Sequence, residues 1–513
     1  MGASQSQVTP ETAMHEKAVL ERIRSLRVDD DAEENYVHVY SEKGLHDITS
    51  NWEPEGLAVT LVESWQSKLL QDPKNRLALS ALSAANPKDI LTSRSTKISD
   101  QQVFNVQIPF EGAPITNQRS SGRCWLFAST NVFRIALMKR YDLESFELSQ
   151  AYLFFWDKLE KANFFLENVI ETAASEDLDG RLVQRILADP VSDGGQWDMV
   201  YNLVDKYGLV PQALYPDSWN AMASSTLNYI VVAKLREYAL TLRSLLRNPK
   251  TTAETLAATK DKMMREIHLV LTLTLGPPPS PSDEFAWTYK DQGGRARTVQ
   301  KTPRAFARDI ASPAFRALAN DAIASHVSLV HDPRHPPLRL LTVDRLGNVV
   351  GGRGVTYINV GMRDLKQACV AMLKADLPVF FGSDVGKFSN SASGIMDLDL
   401  IDYELGFNVD LVGGMTKAQR LRVGESAMTH AMVLTAVHVA GEGGAGETVR
   451  WRVQNSWGET AGDKGWFVMS DRWMDEFVYQ AVVDPRFLTR EVRDVLKQDP
   501  IVLPLWDPMG ALA

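Results

Sequence analysis

Apolar residues recur at helical spacing over residues 16–100 and again over about 216–275, and prolines interrupt the first of these stretches. Four prolines within residues 276–281 forbid both helix and central strand, so this stretch is predicted to be a loop. Runs of β-branched and aromatic residues predict strands, the last two of them in antiparallel sheet, at 287–289, 338–343, 379–382, 429–439 and 449–469. The pattern indicates an α+β chain with a long helical stretch in its middle.

The segment most suggestive of chemistry reads NQRSSGRCWLFAS over residues 117–129 and contains Cys124. Helix-compatible apolar residues follow it, which places Cys124 at or near a helix N-terminus. There the macrodipole and the free N–H groups favour a thiolate. An isolated cysteine is more often a buried structural residue, but the polar loop before Cys124 predicts a site open to solvent. Cys124 is therefore a candidate nucleophile.

A thiolate nucleophile requires a base and a residue that orients the base. His430 lies in the apolar stretch MTHAMV, and Asn455 begins the sequence NSWG. An imidazole can accept the thiol proton and later protonate a leaving amine, and an amide carbonyl can fix the ring. His438 lies on the same stretch, eight residues after His430, so spacing alone leaves both histidines as candidates.

The Cys124 and Asn455 segments resemble the C-G-[SA]-C-[WY] and N-S-W-G motifs of the papain superfamily of cysteine peptidases. His430 follows Cys124 by 306 residues, whereas papain and the cathepsins place these residues roughly 130–150 apart. Such a long insertion is a feature of the bleomycin hydrolase group of that superfamily. Residues 384–387, 424–432 and 506–513 also resemble this group, and Ser121 stands where secreted papain relatives carry a disulfide cysteine.

This resemblance implies a papain-like fold with a helical left half and an antiparallel β-sheet right half. A large helical insertion and an N-terminal extension are expected in addition. The resemblance implies five divisions. Residues 1–70 form an N-terminal tail and helical extension, 71–215 the left half with the nucleophile helix, and 216–365 a mainly helical insertion. Residues 366–490 form the right half with His and Asn, and 491–513 a C-terminal tail in the active-site cleft.

The resemblance also implies roles for single residues. Cys124 matches the nucleophile, His430 the general base and acid, and Asn455 the residue that orients the imidazole; the match favours His430 over His438. Gln118, six residues before Cys124, matches the oxyanion-hole glutamine.

Four further residues match positions that contact or surround substrate in the family. Gly194 and Gly195 resemble the double glycine that pairs with the substrate backbone, and Trp457 is expected to shield the His–Asn contact from water. The tail that ends at Ala513 is expected to lie in the cleft, where its carboxylate pairs with a free substrate amine. That arrangement predicts an aminopeptidase.

Composition limits the remaining possibilities. The 513 residues are 44% hydrophobic and 23% charged, with a net charge of −9, which is ordinary for a globular chain without a generally cationic surface. Two cysteines exclude a disulfide framework and an all-cysteine metal site, and neither metal nor cofactor is expected. The N-terminus predicts no secretory or transit signal, so a cytoplasmic enzyme is expected, with a mitochondrial or membrane-associated pool as an alternative. Gly2 fits the myristoylation pattern M-G-x-x-x-[ST].

The partners implied by the resemblance are a peptide or amide with a free N-terminus and further copies of the chain in a homohexamer. Some relatives also bind DNA or RNA. A local basic run with no intervening acid makes this an alternative function, in which a nucleic-acid-binding or scaffolding hexamer has incidental peptidase activity. The candidate contacts in that run are Arg295, Arg297, Lys301 and Arg304.

Overall fold

A computed structural model describes residues 55–310, 325–441 and 446–512. The chain divides into two compact units, Met1–Ala81 and Leu82–Ala513. In the first unit the described residues form helix α1 and most of α2, and no residue of α1 is buried.

The helices α1–α17 in chain order are Val59–Gln71, Pro73–Leu82, Pro87–Ile90, Arg94–Ser99, Cys124–Tyr141, Gln150–Thr172, Arg181–Ala188, Trp197–Tyr207, Trp219–Met222, Ser225–Arg247, Ala253–Leu275, Pro303–Ala307, Met362–Lys374, Tyr403–Phe407, Lys417–Val423, Asp471–Phe477 and Arg490–Asp494. The strands β1–β14 are Val106–Gln107, Phe285–Lys290, Ala296–Lys301, Val327–Val330, Arg339–Val343, Thr356–Asn359, Val379–Ser383, Ser389–Asn390, Ile395–Met396, His430–Val439, Thr448–Gln454, Trp466–Ser470, Val478–Val483 and Ile501–Leu503.

Twelve of these strands form one sheet in the order β14-β5-β6-β4-β13-β7-β10-β11-β12-β9-β8, with β1 paired to β10. Its centre, from β13 through β12, is antiparallel as predicted. Three neighbouring pairs nearer the edges are parallel: β4–β6, β5–β14 and β9–β12. Strands β2 and β3 form a separate hairpin.

Helix α5 is buried on all sides from Cys124 to Met138, because its apolar residues occupy every face. It packs against β10 and β7, so its first turn lies at the centre of the sheet. Helix α6 packs beside it, and the two long helices α10 and α11 pack on α6. The two long inserted helices therefore contact the helix that packs beside α5.

The predicted helical stretch at 216–275 is confirmed as α9, α10 and α11, and residues 276–281 contain no helix or strand. The long helices end at Leu275, however, and of the helices given above the short α12 lies between Leu275 and Met362. Strands β2–β6 follow, and β4, β5 and β6 join the main sheet because their apolar residues are buried. The prolines at 73 and 87 begin helices α2 and α3, since a helix start does not use the missing N–H group.

Candidate active site

Cys124 is the first residue of α5, and only 2% of its surface is exposed. No side chain caps this end of the helix. Burial raises the pKa of the Cys124 thiol to about 11, whereas the backbone N–H groups of Ala431 and Trp125 lower it by hydrogen bonding to the sulfur. The thiol thus lies against backbone donors that stabilise its ionised form.

His430 is the first residue of β10 and precedes Ala431, whose N–H group contacts the Cys124 sulfur. His430 Nε2 lies 2.9 Å from Oδ1 of Asn455, and the same oxygen accepts the backbone N–H of Ser456 at 2.8 Å. Because an acceptor faces Nε2, that nitrogen carries the ring proton and Nδ1 does not. Burial lowers the pKa of His430 to about 4, so the neutral ring can accept a proton at Nδ1.

Asn455 directly follows β11 and is fully buried. The Trp457 ring lies against the His430 imidazole, with centroids 4.9 Å apart and planes inclined by 31°. Phe467 supports the indole from the side, at 5.7 Å between centroids. The aromatic side chains therefore cover the imidazole and reduce the access of water to its bond with Asn455.

The alternative base, His438, lies near the other end of β10, opposite Arg450 of β11. Eight residues of strand correspond to roughly 26 Å. The sulfur of Cys124 contacts the strand at Ala431, next to His430. The structure thus places His430 beside the thiol and His438 far from it.

Gln118 is held by the segment that follows Asn455. Its backbone N–H donates to the Ser456 carbonyl at 2.8 Å, and the Ser456 hydroxyl donates to Gln118 Oε1 at 2.7 Å. Gln118 Nε2 donates to the Ser121 carbonyl at 2.7 Å. One Nε2 hydrogen remains, and together with the Cys124 N–H group it can donate to an oxyanion. Sequence reasoning missed Ser456, although Ser456 lies within the NSWG motif.

Gly194 and Gly195 lie in an extended segment that leads into α8. A Cβ atom on Gly195 would lie 2.5 Å from the Trp125 ring, so the close approach requires glycine. The Gly194 carbonyl accepts a 2.7 Å hydrogen bond from Lys161 Nζ. Within the described parts of the chain, no hydrogen bond involves the Gly195 backbone. Gly195 is therefore the better placed of the two to pair with an extended ligand.

The C-terminal tail docks on the protein rather than extending into solvent. It adds β14 to β5, and the Asp507 carboxylate accepts hydrogen bonds of 2.7 and 3.1 Å from the Arg334 guanidinium. Nε2 of Gln196, the residue after the double glycine, donates to the Ala511 carbonyl at 2.9 Å. The tail thus reaches the double-glycine segment. Ala513 lies outside the described residues.

The candidate nucleic-acid contacts lie on and just after the β2–β3 hairpin: Arg295, Arg297, Lys301 and Arg304. Asp291 forms ion pairs of 3.1 Å with both Arg295 and Arg297, and Asp309 forms one of 2.5 Å with Lys301. Arg304 is exposed. Three of the four cationic side chains therefore pair with carboxylates of the same chain, and Arg295 and Arg297 share one of these carboxylates.

Gly2, the candidate lipidation site, lies outside the described residues. Among the residues that the structure describes, no helix combines the length and the apolar character needed to cross a membrane.

A thiol at a helix start, an imidazole at a strand start and an amide that orients it, on a helix-and-sheet scaffold, define a papain-like cysteine peptidase. The chain belongs to the Peptidase C1-like family, whose model matches residues 56–510.

Similar proteins agree with this assignment. The chain is 44% identical to bleomycin hydrolase of Homo sapiens over 462 residues, which cover 89% of this chain and 99% of that protein. It is 41% identical to "Cysteine proteinase 1, mitochondrial" of Saccharomyces cerevisiae over 464 residues, 89% of this chain and 92% of that one. The crystal structure of PepW from Lactobacillus rhamnosis matches with a TM-score of 0.83 and 38% identity, over 89% of this chain and 99% of that one.

Proposed function

We propose that this cysteine peptidase is a thiol aminopeptidase that hydrolyses N-terminal amide bonds with Cys124, His430 and Asn455. The observation that carries the proposal is the hydrogen bond between His430 Nε2 and Asn455 Oδ1. This bond leaves Nδ1 as the basic nitrogen, on the residue next to the one whose amide contacts the thiol.

The first half of the reaction forms a thioester. Nδ1 of His430 takes the proton of Cys124, and the sulfur attacks the substrate carbonyl carbon. The carbonyl π electrons move to oxygen, and this oxyanion accepts hydrogen bonds from Gln118 Nε2 and the Cys124 backbone. As the oxyanion collapses, the C–N bond breaks and the imidazolium gives its proton to the leaving amine.

The second half releases the acyl group. His430 takes a proton from water, and the oxygen of that water attacks the thioester carbon. The C–S bond then breaks, and the imidazolium returns its proton to the departing sulfur of Cys124. Asn455 holds the ring in one orientation throughout, so the same nitrogen serves as base and acid in both halves.

The tail supports selection of a free amine. The Ala511 carbonyl bonds to Gln196, next to the double glycine, where the acyl side of a substrate would pair with Gly195. The terminal carboxylate of Ala513 would then pair with the substrate ammonium. A blocked amine would leave that carboxylate unpaired, which disfavours N-acylated substrates.

Short peptides, bleomycin-type amides and homocysteine thiolactone are the proposed substrates, and a homohexamer is the proposed assembly, as the family resemblance implies. A cytoplasmic location is proposed, with a mitochondrial pool as the alternative that the yeast relative's name suggests.

The test compares an aminoacyl arylamide with its N-acetylated counterpart under reducing conditions, using the intact enzyme and the variant Cys124→Ala. We expect only the intact enzyme to cleave, and only the free-amine substrate. Cleavage of both substrates by the intact enzyme would refute selection by the tail but not the peptidase assignment. Cleavage of neither would refute the aminopeptidase.

The nucleic-acid-binding alternative receives less support, because Arg295, Arg297 and Lys301 are paired with carboxylates. A salt-dependent gel shift retained by Cys124→Ala and lost on replacing the exposed Arg304 would favour it.

A further inference from the structure

Asp193, just before the double glycine, contacts the nucleophile segment on both sides of Cys124. Its Oδ2 accepts the backbone N–H of Gly122 at 3.1 Å, and its backbone carbonyl accepts Trp125 Nε1 at 2.6 Å. A Cβ atom on Gly122 would lie 2.7 Å from that of Asp193, so the two segments meet as closely as glycine permits. The carboxylate therefore joins the nucleophile loop to the segment that would bind the substrate backbone.

Other elements hold the same carboxylate in place. The Nζ of Lys158, a fully buried side chain on α6, lies 2.6 Å from Oδ1. The Ser224 hydroxyl and Asn228 Nδ2 also donate to the carboxylate, the latter at 2.8 Å. Asn228 lies in the first turns of α10, and Ser224 directly precedes that helix. Helix α10 thus reaches the nucleophile loop through the Asp193 carboxylate, in addition to the 2.9 Å hydrogen bond that the Ser120 N–H group donates to the Met222 carbonyl of α9.

Asp193 carries its charge close to the reacting sulfur. Although burial opposes ionisation, Lys158 and the hydrogen bonds of Ser224 and Asn228 hold the pKa of Asp193 well below its usual value. Burial is the main cause of the raised pKa of Cys124, and the negative charge of Asp193 adds to it. Two further charged groups act on Lys158: Lys161, on the same helix, and Asp157, which forms an ion pair of 2.6 Å with Lys161.

We propose that Asp193 is a positioning residue for Cys124, and that the inserted helix α10 fixes it through Ser224 and Asn228. The proposal rests on the proposed function, because it concerns the placement of the attacking sulfur. In papain relatives with a disulfide next to the nucleophile, a covalent bond restrains this loop. Here Ser121 occupies that position, and the hydrogen bond from the Gly122 N–H group to the Asp193 carboxylate restrains the loop instead.

The test uses Asp193→Asn, which keeps the volume of the side chain and removes its charge. A thiol misplaced by about 1 Å reacts on the order of a hundredfold more slowly, so kcat for an aminoacyl arylamide should fall by up to that factor, with KM nearly unchanged. The pH profile of Cys124 alkylation by iodoacetamide, assigned by peptide mass, should move to lower pH. Loss of a nearby negative charge favours the thiolate of Cys124.

Asp291→Asn is the matched control. Asp291 is also buried and paired with cations, Arg295 and Arg297, but it lies near the far end of the helix that begins with Cys124. This variant should lower the midpoint of thermal unfolding without changing kcat or the alkylation profile. A folded Asp193→Asn protein with the wild-type kcat and alkylation profile would overturn the proposal.

The variant Asn228→Ala tests the position of the Asp193 carboxylate separately from its charge. It also replaces Asp193→Asn as the test if that variant does not fold. It removes one hydrogen bond to the carboxylate and leaves the charge, so kcat should fall while the alkylation profile stays in place. An unchanged kcat would overturn the role of the inserted helix. Alkylation of Cys124 needs no substrate, so it tests the placement of the thiol independently of the proposed function. If the wild-type protein is alkylated at Cys124 but hydrolyses no arylamide, the proposed function is refuted, and the alkylation profiles of the variants still test the role of Asp193.

Discussion

The hydroxyl of Ser456 donates a 2.7 Å hydrogen bond to Oε1 of Gln118, a residue 338 positions earlier in the chain. The Ser121 carbonyl can only accept, so it fixes Nε2 as the nitrogen of the Gln118 amide. Oxyanion donor and imidazole are thereby held by neighbouring residues, because Asn455 orients His430 and Ser456 orients Gln118.

Ser456→Ala should therefore lower kcat more than it raises KM. Removing a whole oxyanion donor, as in Gln118→Ala, costs on the order of a hundredfold in rate. Ser456→Ala leaves the amide in place but loosely held, so its loss should be smaller. The measurement is a double-mutant cycle with kcat/KM as readout.

The two effects should not add, since both act through one amide. The double variant should be no slower than Gln118→Ala alone. Additive losses would show that the Ser456 hydroxyl acts on something other than the Gln118 side chain.

Local motifs were sufficient to locate the candidate site residues. The sequence around Cys124 predicted a helix start, and α5 begins at that residue. Spacing could not decide between His430 and His438, because both lie on one strand. The family resemblance favoured His430, and the structure places His438 near the far end of β10, opposite Arg450. The contacts of Asp193 with α6 and α10 were beyond prediction, since they join segments that are distant in sequence and carry no motif.

The fold was predictable in its elements and less so in its pairing. Strand composition located β5 and β7 but could not show that β14 of the tail adds to β5 in parallel. That pairing depends on the path of the whole chain. The charge pairing of the basic run escaped prediction for a related reason, because Asp291 and Asp309 flank the run and fold back on it.

Inactivation by iodoacetamide should decline as the pH falls through about 4 rather than through 6.5. Burial lowers the pKa of His430 from 6.5 to about 4. Above that value the ring is neutral and can accept the Cys124 proton; below it the ring is charged and cannot. The rate of alkylation measured from pH 3 to 8 checks this, and a midpoint near 6.5 would show a solvated imidazole.

Asp100→Asn should stabilise the protein more at pH 8 than at pH 5. Burial, together with the nearby Asp397 and Asp399, raises the pKa of Asp100 from 3.8 to about 7. The folded state therefore binds a proton that the unfolded state releases between these values, and wild-type stability falls as pH rises through this range. The asparagine variant removes that loss, so its advantage should grow up to pH 7 and then stay constant.

Thermal unfolding of both proteins at the two pH values measures the difference. Asp179→Asn, at an exposed carboxylate, is the control and should shift the midpoint equally at both. An equal shift for Asp100→Asn would indicate that the carboxyl ionises normally in the folded protein.

Asp507→Ala should weaken discrimination against N-acylated substrates. Asp507 and Arg334 form a bidentate ion pair between the tail and the loop before β5. A hydrogen bond to a charged group contributes about 1.5–3 kcal/mol, so losing the pair should raise the undocked fraction of tails by roughly tenfold or more. The ratio of kcat/KM for an aminoacyl arylamide to that for its N-acetyl counterpart should fall accordingly. Asp494→Asn breaks the exposed pair with Lys497, outside the contacts that dock the tail at the double glycine, and should leave the ratio unchanged. Digestion by carboxypeptidase shows whether the tail of Asp507→Ala is released. If the tail is released and the ratio of kcat/KM values is still unchanged, the tail does not select the amine.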